Sequence, residues 1–261
     1  MAITRRAIES AALFAIAFFI TTLAHELAHA IAAVLMGRDP VMFASSVACS
    51  IDGTVTARVV TKLAGPLFSG LSGLALLFVA RAMRGPARLR LFVIWLGYHG
   101  IVNLVGYVFS IWFAPGADLG SVARLLEVPT VVQIALMLLA FAGLRLLVRP
   151  FALPLAQLSP AQLTTDADAK AWSKEIGLFA GLIATPVLML SFLPVPHWLT
   201  LMYCGVSALP LFDLPKAMVR ARGESMKHPL PAAAPLPFIV TYVVLVIVAR
   251  AIFDGGIAFT R

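Results

Sequence analysis

Two histidines and a glutamate stand inside an otherwise apolar run near the start of the chain, TTLAHELAHAIAA (21–33). His25, Glu26 and His29 form the pattern His-Glu-x-x-His. On an α-helix, residues four positions apart lie on nearly the same face, so both imidazoles can reach one metal ion. Glu26 lies beside that face and is suited to accept a proton from water that the metal activates. The pattern predicts a zinc site with three protein ligands and a fourth position open to water.

An alternative is that the two histidines only pack between helices. An ionised carboxylate near the centre of a spanning helix costs about 2.5–3.5 kcal/mol on insertion scales, so such a residue usually marks a functional site. The motif also has small neighbours, among them Ala24, Ala28 and Ala30, which allow other helices to approach closely. Both features favour the metal site over simple packing.

The composition is that of a membrane protein. Of the 261 residues, 61% are hydrophobic and 12% are charged, with a mean hydropathy of +0.97; soluble domains are nearer half apolar and a quarter charged. Loops on the cytoplasmic side of a membrane protein account for the net charge of +8. Nucleic-acid binding is disfavoured, because no basic stretch is interleaved with aromatic residues. Cys49 and Cys204 lie far apart and predict no disulfide framework.

Seven apolar stretches are long enough, or nearly so, to cross a bilayer as helices, which takes about 20 residues. They cover residues 8–36, 62–80, 89–113, 129–149, 175–193, 197–213 and 234–253. The sixth is short and interrupted by Pro210, so six spans and a re-entrant segment are an alternative. We predict an all-α polytopic membrane protein with six to seven transmembrane helices, the first being a retained span rather than a signal peptide.

The distribution of basic residues predicts the orientation of these spans. With seven spans, all Lys and Arg residues fall on the side of the N-terminus except Arg38, Arg58, Lys62, Arg124, Arg250 and Arg261. We therefore expect a multi-pass integral membrane protein, in a bacterial inner membrane, with its N-terminus in the cytoplasm.

The segment between the first two spans favours β-structure. The runs VMFASSVACS (41–50) and TVTARVV (54–60) are joined by Ile51-Asp52-Gly53, and Asp-Gly is a strong signal for a hairpin turn. We expect a small β-hairpin over residues 41–60. Because a two-stranded hairpin is marginally stable alone, it should rest on the helices or on a partner.

Beyond the zinc motif, the chain resembles the site-2 protease family of intramembrane zinc metalloproteases. That family has His-Glu-x-x-His in a first core helix, then a β-hairpin region, then a helix that opens with Ala-Gly-Pro. Here the second span begins KLAGPLFSGLSG, with Ala64, Gly65 and Pro66. The resemblance covers about residues 8–125. It implies a zinc core at 1–125, followed by additional transmembrane helices of unassigned role at 126–261.

The resemblance also implies a third zinc ligand. In the family it is an Asp in an Asp-Gly setting, after an Asn-Pro break in the third core helix. The matching segment is NLVGYVFSIWFAPGADLGS (103–121), which assigns the ligand to Asp118 and a contact with substrate backbone or oxyanion to Asn103. The motif here reads Asp-Leu-Gly, and no proline closely follows Asn103. Capping of the short helix after Asp118 is the alternative role for its carboxylate.

Two further residues are alternatives for the third ligand. Asp213, in LPLFDLPKA, resembles the family's Asp motif, but it ends the sixth span, which runs opposite to the first and third. It should therefore emerge on the other face from the zinc motif and Asp118. His99 lies inside the third span, where helix packing is an equally good role. His197 and His228 are interpreted as interfacial or loop residues.

These features predict an intramembrane zinc metalloprotease, with Zn²⁺ held by His25, His29 and Asp118 and Glu26 acting as general base and then acid. The expected partners are a membrane-protein or transmembrane-peptide substrate, the lipid bilayer and membrane-complex partners. An alternative is a catalytically silent homologue that keeps the zinc fold as a scaffold or accessory subunit of a membrane complex. A metal transporter is disfavoured, because the spans contain few other ionisable residues.

A substrate helix must unwind before hydrolysis, because its amides are bonded internally. We expect the 41–60 hairpin to offer a strand edge to the extended substrate, with Val55 and Val59 on that edge.

Overall fold

The computed structural model describes residues 3–50, 53–194, 198–224 and 227–259. Its α-helices are α1 (Arg5–Leu35), α2 (Val55–Ala82), α3 (Ala87–Ser110), α4 (Asp118–Leu125), α5 (Thr130–Leu147), α6 (Arg149–Ala156), α7 (Asp166–Ser173), α8 (Phe179–Ser191), α9 (Trp198–Ala208), α10 (Leu214–Ala221) and α11 (Pro235–Phe253). A π-helical turn, Lys174–Leu178, joins α7 to α8, and a 3₁₀ turn, Leu209–Asp213, joins α9 to α10. The strands are β1 (Val41–Phe43), β2 (Ser46–Ala48) and β3 (Ile257–Ala258).

Six helical stretches in the described residues are long and apolar enough to cross a membrane: α1, α2, α3, α5 with α6, α7 through α8, and α11. This confirms the predicted all-α polytopic architecture. Within the predicted sixth span, 197–213, the described residues form only the 11-residue α9 and the 3₁₀ turn. The α-helix ends at Ala208, two residues before Pro210, whose ring has no amide hydrogen and clashes with the preceding helical turn.

The first predicted span forms the central helix of the bundle. α1 packs against α2, α3, α8 and α11. Residues 11–19 in its first half are buried and apolar, with Phe14 edge-on to Trp95 and His99 of α3 at centroid distances of 5.2 and 4.2 Å. This packing fixes the rotation of α1 about its axis, and so determines which face its second half turns toward α2.

The backbones of α2 and α3 approach each other closely. A Cβ atom on Gly100 would lie 2.5 Å from the Ser69 carbonyl oxygen and 2.7 Å from the Cα of Gly73, closer than side chains tolerate. Only glycine therefore fits at position 100, as is common where membrane helices meet through small residues. The same contact places Ser69 and the end of α3 next to the second half of α1.

The β-hairpin is shorter than predicted and turns at a different place. β1 and β2 pair antiparallel, with Val41 opposite Ala48 and Phe43 opposite Ser46, so the loop is Ala44-Ser45. The predicted turn at Asp52-Gly53 is wrong for this hairpin. Ile51 and Asp52 themselves lie outside the described residues.

The prediction of a second strand over residues 54–60 is also wrong, because these residues begin α2. The Thr54 hydroxyl accepts a hydrogen bond from the Ala57 amide at 3.2 Å and caps the helix. Such a cap is worth about 1 kcal/mol, and β-propensity depends strongly on context. Val55 and Val59 are consequently helical and offer no strand edge.

A third strand that the sequence did not indicate completes the sheet. β3 pairs antiparallel with β1, with Val41 opposite Ala258 and Met42 opposite Ile257, giving the order β2-β1-β3. β2 is therefore an edge strand of this sheet.

Candidate metal centre

α1 presents both histidines of the motif to the interior of the bundle. His25 and His29 are only 1% and 4% exposed, and their Nε2 atoms lie 3.0 Å apart. Their spacing of four residues along the helix produces this arrangement, so both nitrogen atoms face the same point between α1 and α2.

Asp118, the first residue of α4, brings a carboxylate to that point. Its Oδ2 atom lies 3.2 Å from His25 Nε2 and 3.0 Å from His29 Nε2. In the part of the chain that the structure describes, these three residues form the group of potential metal ligands whose atoms all lie within 4.8 Å of one another. α4 is preceded by Ala117 as N-cap and has no side-chain cap, so capping is not the role of Asp118.

The loop before α4 folds tightly to deliver this carboxylate. The Ala117 amide donates to the Ala114 carbonyl at 2.9 Å, and a Cβ atom on Gly120 would lie 2.2 Å from the same carbonyl oxygen. The glycine of Asp-Leu-Gly is therefore required by close packing of α4 on the loop.

A second layer of groups orients the three side chains. His29 Nδ1 donates to the Thr61 carbonyl oxygen at 2.6 Å, which leaves the Nε2 lone pair directed at the shared point. His25 Nδ1 lies 3.2 Å from Ser69 Oγ, and Lys62 Nζ donates to Asp118 Oδ1 at 3.0 Å. Partners of this kind fix the orientation of metal ligands and tune their affinity.

The geometry fits a metal ion. The two Nε2 atoms and Oδ2 form a nearly equilateral triangle with edges of 3.0 to 3.2 Å. Nitrogen and oxygen ligands at 2.0–2.1 Å from a tetrahedral ion lie about 3.3–3.4 Å apart, so the triangle needs to widen only slightly. Gly65 of the Ala-Gly-Pro motif faces the same point, and a Cβ atom there would lie 2.4 Å from His29 Nε2 and 2.7 Å from His25 Nε2. The space beside the ligands exists because residue 65 has no side chain.

Glu26 borders open space next to this triangle. It is 6% exposed and lines a cavity of about 440 Å³ together with His29 and Asp118. The other walls are residues 45–50 of the hairpin segment, the first turns of α2, the loop at 116–117 and part of α9. The Glu26 carboxylate interacts electrostatically with both histidines, with Asp118 and with Lys62. A carboxylate thus faces a cavity beside the three potential metal ligands.

Sequence reasoning missed several residues of the centre. The Tyr107 ring stacks on the His25 imidazole with ring centroids 5.1 Å apart, and it contacts the ring of Tyr203 of α9 in a tilted arrangement at 4.5 Å. Lys62 carried a signal, since an ionisable residue within a spanning helix is a functional candidate by default. Thr61 contributes a backbone carbonyl, which no residue pattern indicates.

Asn103 lies in a different place from the one that the family resemblance implied. It lines a small cavity of about 20 Å³ with His99, Thr21 and Thr22, which shares Tyr203 with the cavity of Glu26. Its Oδ1 atom is buried and has no hydrogen-bond partner among the described residues. It is not among the residues that line the cavity of Glu26. His99 Nε2 donates to the Phe14 carbonyl at 3.1 Å, and this histidine packs inside the bundle.

Asp213 pairs with Arg145 of α5 and does not belong to the group formed by His25, His29 and Asp118. The Arg145 guanidinium donates two hydrogen bonds to its carboxylate, the longer at 3.0 Å, and this contact holds the pKa of Asp213 below its ordinary value. The His228 amide donates to the Gln157 carbonyl at 2.9 Å, in a loop. His197 lies outside the described residues.

No family model, curated protein or solved structure matches this chain.

Gly65→Ala should lower metal affinity by about tenfold or more, because its methyl group would occupy the space beside both Nε2 atoms. The same methyl group also crowds two buried imidazoles, so thermal unfolding is measured alongside to separate loss of the metal from loss of the fold. Metal content after dialysis, measured by mass spectrometry, checks this. Gly205→Ala is the matched control, since its nearest neighbour is Met189 Cε at 3.8 Å. Full metal content in the Gly65 variant would contradict the assignment.

Asp118→Asn should lower metal content strongly, whereas Asp213→Asn should leave it unchanged, because only the former removes a charged ligand atom. The same metal assay on the two purified variants tests this pair. If the Asp213 variant lost its metal and the Asp118 variant kept it, the ligand set described above would be wrong.

Proposed function

We propose that the protein is an intramembrane zinc metalloprotease that hydrolyses peptide bonds of membrane-spanning substrates. The observation that carries this proposal is the position of Glu26, which lines a cavity beside His25, His29 and Asp118. The similarity of the His-Glu-x-x-His and Ala-Gly-Pro motifs to those of site-2 proteases supports it further.

The donor set suits zinc better than harder cations. Two imidazoles and one carboxylate are a common set in catalytic zinc sites, which keep a fourth position open, whereas calcium and magnesium prefer oxygen ligands. A zinc ion there would supply a Lewis acid that polarises the scissile carbonyl and acidifies water.

Side chains that line the cavity transfer the proton and position the ligands. Glu26 accepts a proton as water oxygen bonds to the carbonyl carbon, and returns it to the amide nitrogen as the C–N bond breaks. Lys62 keeps Asp118 Oδ1 occupied and so presents Oδ2 to the histidines. Tyr107, stacked on His25, keeps that imidazole in place and shields it.

The outer edge of β2 is where an unwound substrate would pair. In a hairpin with a two-residue loop, the pair next to the loop exchanges both hydrogen bonds, and the following pair points its amides outward. That following pair is Met42–Val47, so the Val47 amide and carbonyl face away from β1. Residues 45–50 line the cavity of Glu26, which places this edge beside the centre.

The orientation in the membrane is part of the proposal. The basic residues near the start of α1, the end of α2 and the start of α3 lie at one end of the bundle, and the metal centre lies toward the other. We propose a cytoplasmic N-terminus in a bacterial inner membrane, consistent with the positive-inside rule.

Glu26→Gln should retain zinc and slow cleavage of a co-reconstituted membrane substrate by about 10²–10⁴-fold, the usual contribution of a general base. Gel analysis of the substrate, alongside metal content, measures both effects. Glu127→Gln removes an exposed carboxylate from the same end of the bundle and should cleave at the normal rate. An unchanged cellular phenotype in the Glu26 variant would instead support the scaffold alternative.

Val47→Pro should slow cleavage about tenfold without loss of zinc, because proline removes the outward amide that would bond the substrate strand. Val47→Thr keeps both the amide and the β-branched shape, and should behave as the unmodified protein. Cleavage rates at equal zinc content measure the difference. Equal rates in the two variants would exclude strand addition at this edge.

A further inference from the structure

Basic residues at the end of the bundle that holds the metal centre are few, and they are concentrated around one place. In the described part of the chain they are Arg38, Arg58, Lys62, Arg124 and Arg250. Arg250 donates to the carbonyls of Ser191 and Leu193 and so has a structural role. The other four line the cavity of Glu26 or the cavity beside it.

The second cavity, which we call the basic cavity, is lined by Arg58, Lys62, Ser121, Arg124 and Leu125 and has a volume of about 270 Å³. None of the described residues that line it is acidic. Arg58 and Lys62 lie one turn apart on α2 and also line the cavity of Glu26, so the two spaces adjoin. Lys62 reaches the ligand Asp118 directly, at 3.0 Å.

The positive charges of the basic cavity are not all neutralised by carboxylates of the described residues. Within the described residues, Arg58 and Arg124 have no ion-pair or side-chain hydrogen-bond partner. Like charges one helical turn apart destabilise a helix, so grouping Arg58 with Lys62 brings no benefit to the fold. The Asp118 carboxylate contacts Lys62, but a bound metal ion would also draw on the negative charge of that carboxylate. An anion from outside the chain would therefore find complementary charge in the basic cavity.

We propose that the basic cavity binds a carboxylate of the peptide substrate, close in sequence to the scissile bond. This inference rests on the proposed proteolytic function and deepens it by naming a substrate class. Lys62 lies beside the ligands, and Arg58 lies one helical turn away from it along α2. One turn measures about 5.4 Å, which is the length of about two residues of an extended substrate chain. The carboxylate thus belongs within about four residues of the cleaved bond, as an Asp or Glu side chain or a free C-terminus.

A lipid phosphate is the competing occupant, and the structure favours the peptide. Two of the three cations of the basic cavity also line the cavity of Glu26, on the path that a bound substrate must follow. A headgroup in the same place would obstruct that path.

Peptide binding to the zinc-loaded full chain in nanodiscs tests the proposal, with Glu26→Gln introduced to prevent hydrolysis. One probe is a fluorescent transmembrane peptide that carries two Asp residues at one end of its apolar stretch. The other is the same peptide with Asn in place of both Asp residues. Each is made with a free or an amidated C-terminus to separate the two sources of carboxylate. We expect the carboxylate to tighten binding about tenfold, equivalent to about 1.4 kcal/mol, and salt to weaken it.

This preference should disappear in Arg58→Gln/Arg124→Gln and persist in Arg84→Gln, an exposed arginine at the opposite end of the bundle. Arg58→Glu/Arg124→Glu, which leaves Lys62 beside two new carboxylates, should favour a Lys-containing peptide, a gain of binding that a misfolded variant cannot show. Equal affinity for the Asp and Asn peptides, or a preference that survives the double substitution, overturns the proposal. So does loss of the preference only in nanodiscs with anionic lipid, which would identify a headgroup as the occupant.

Binding and cleavage measurements together distinguish failure of the basic-cavity proposal from failure of the proposed proteolytic function. If Asp peptides bind preferentially but the unmodified protein cleaves no peptide, the basic cavity stands and the proteolytic function falls. If both peptides are bound and cleaved equally, proteolysis stands and the substrate class is wrong.

Discussion

The burial of three ionisable residues of α1 inside an apolar bundle is the constraint on which the rest of the structure depends. Such groups are costly in the membrane unless each finds a partner. Thr61 and Ser69 satisfy the outer nitrogen atoms of the histidines, and Asp118 faces the inner ones. The position of α2 and the return of the chain into α4 can be understood as consequences of that need.

Close approach of backbones is the second condition, and it follows from the first. A carbonyl or hydroxyl of α2 can reach an imidazole of α1 only if the helices nearly touch, which glycine permits at position 65. The contact of Gly100 with Gly73 does the same between α2 and α3. The small residues therefore serve the polar centre as much as they serve helix packing.

The sequence predicted those parts of the molecule that depend on one segment at a time. Helical spans follow from apolar length, and the shared face of His25 and His29 follows from their spacing. The comparison of span directions separated Asp118 from Asp213, and the structure holds these two residues in different surroundings. Its premise of a full sixth span does not hold, since α9 has only 11 residues, but Asp118 approaches the two histidines and Asp213 pairs with Arg145.

The failures concern features that local preference does not decide. Residues 54–60 favour strands by composition, yet a Thr54 cap and contacts with α1 and α4 make them helical. The family pattern predicted that Asn103 would contribute to the centre. The packing of α3 on α1 fixes the rotation of α3, and Asn103 lines another cavity. Lys62 was counted only among the basic residues that predict orientation. Its contact with Asp118 joins two segments that are distant in the sequence, so no local pattern indicates it.

The pairing of β3 with β1 has a consequence for the order of events during synthesis. Ile257 and Ala258 follow β1 by more than two hundred residues, so the third strand cannot join until all the intervening helices have emerged from the ribosome. Until then β1 and β2 form a two-stranded ribbon, which is marginal in water. The wall of the cavity that residues 45–50 provide is therefore completed late in biogenesis, after His25, His29 and Asp118 have already been synthesised.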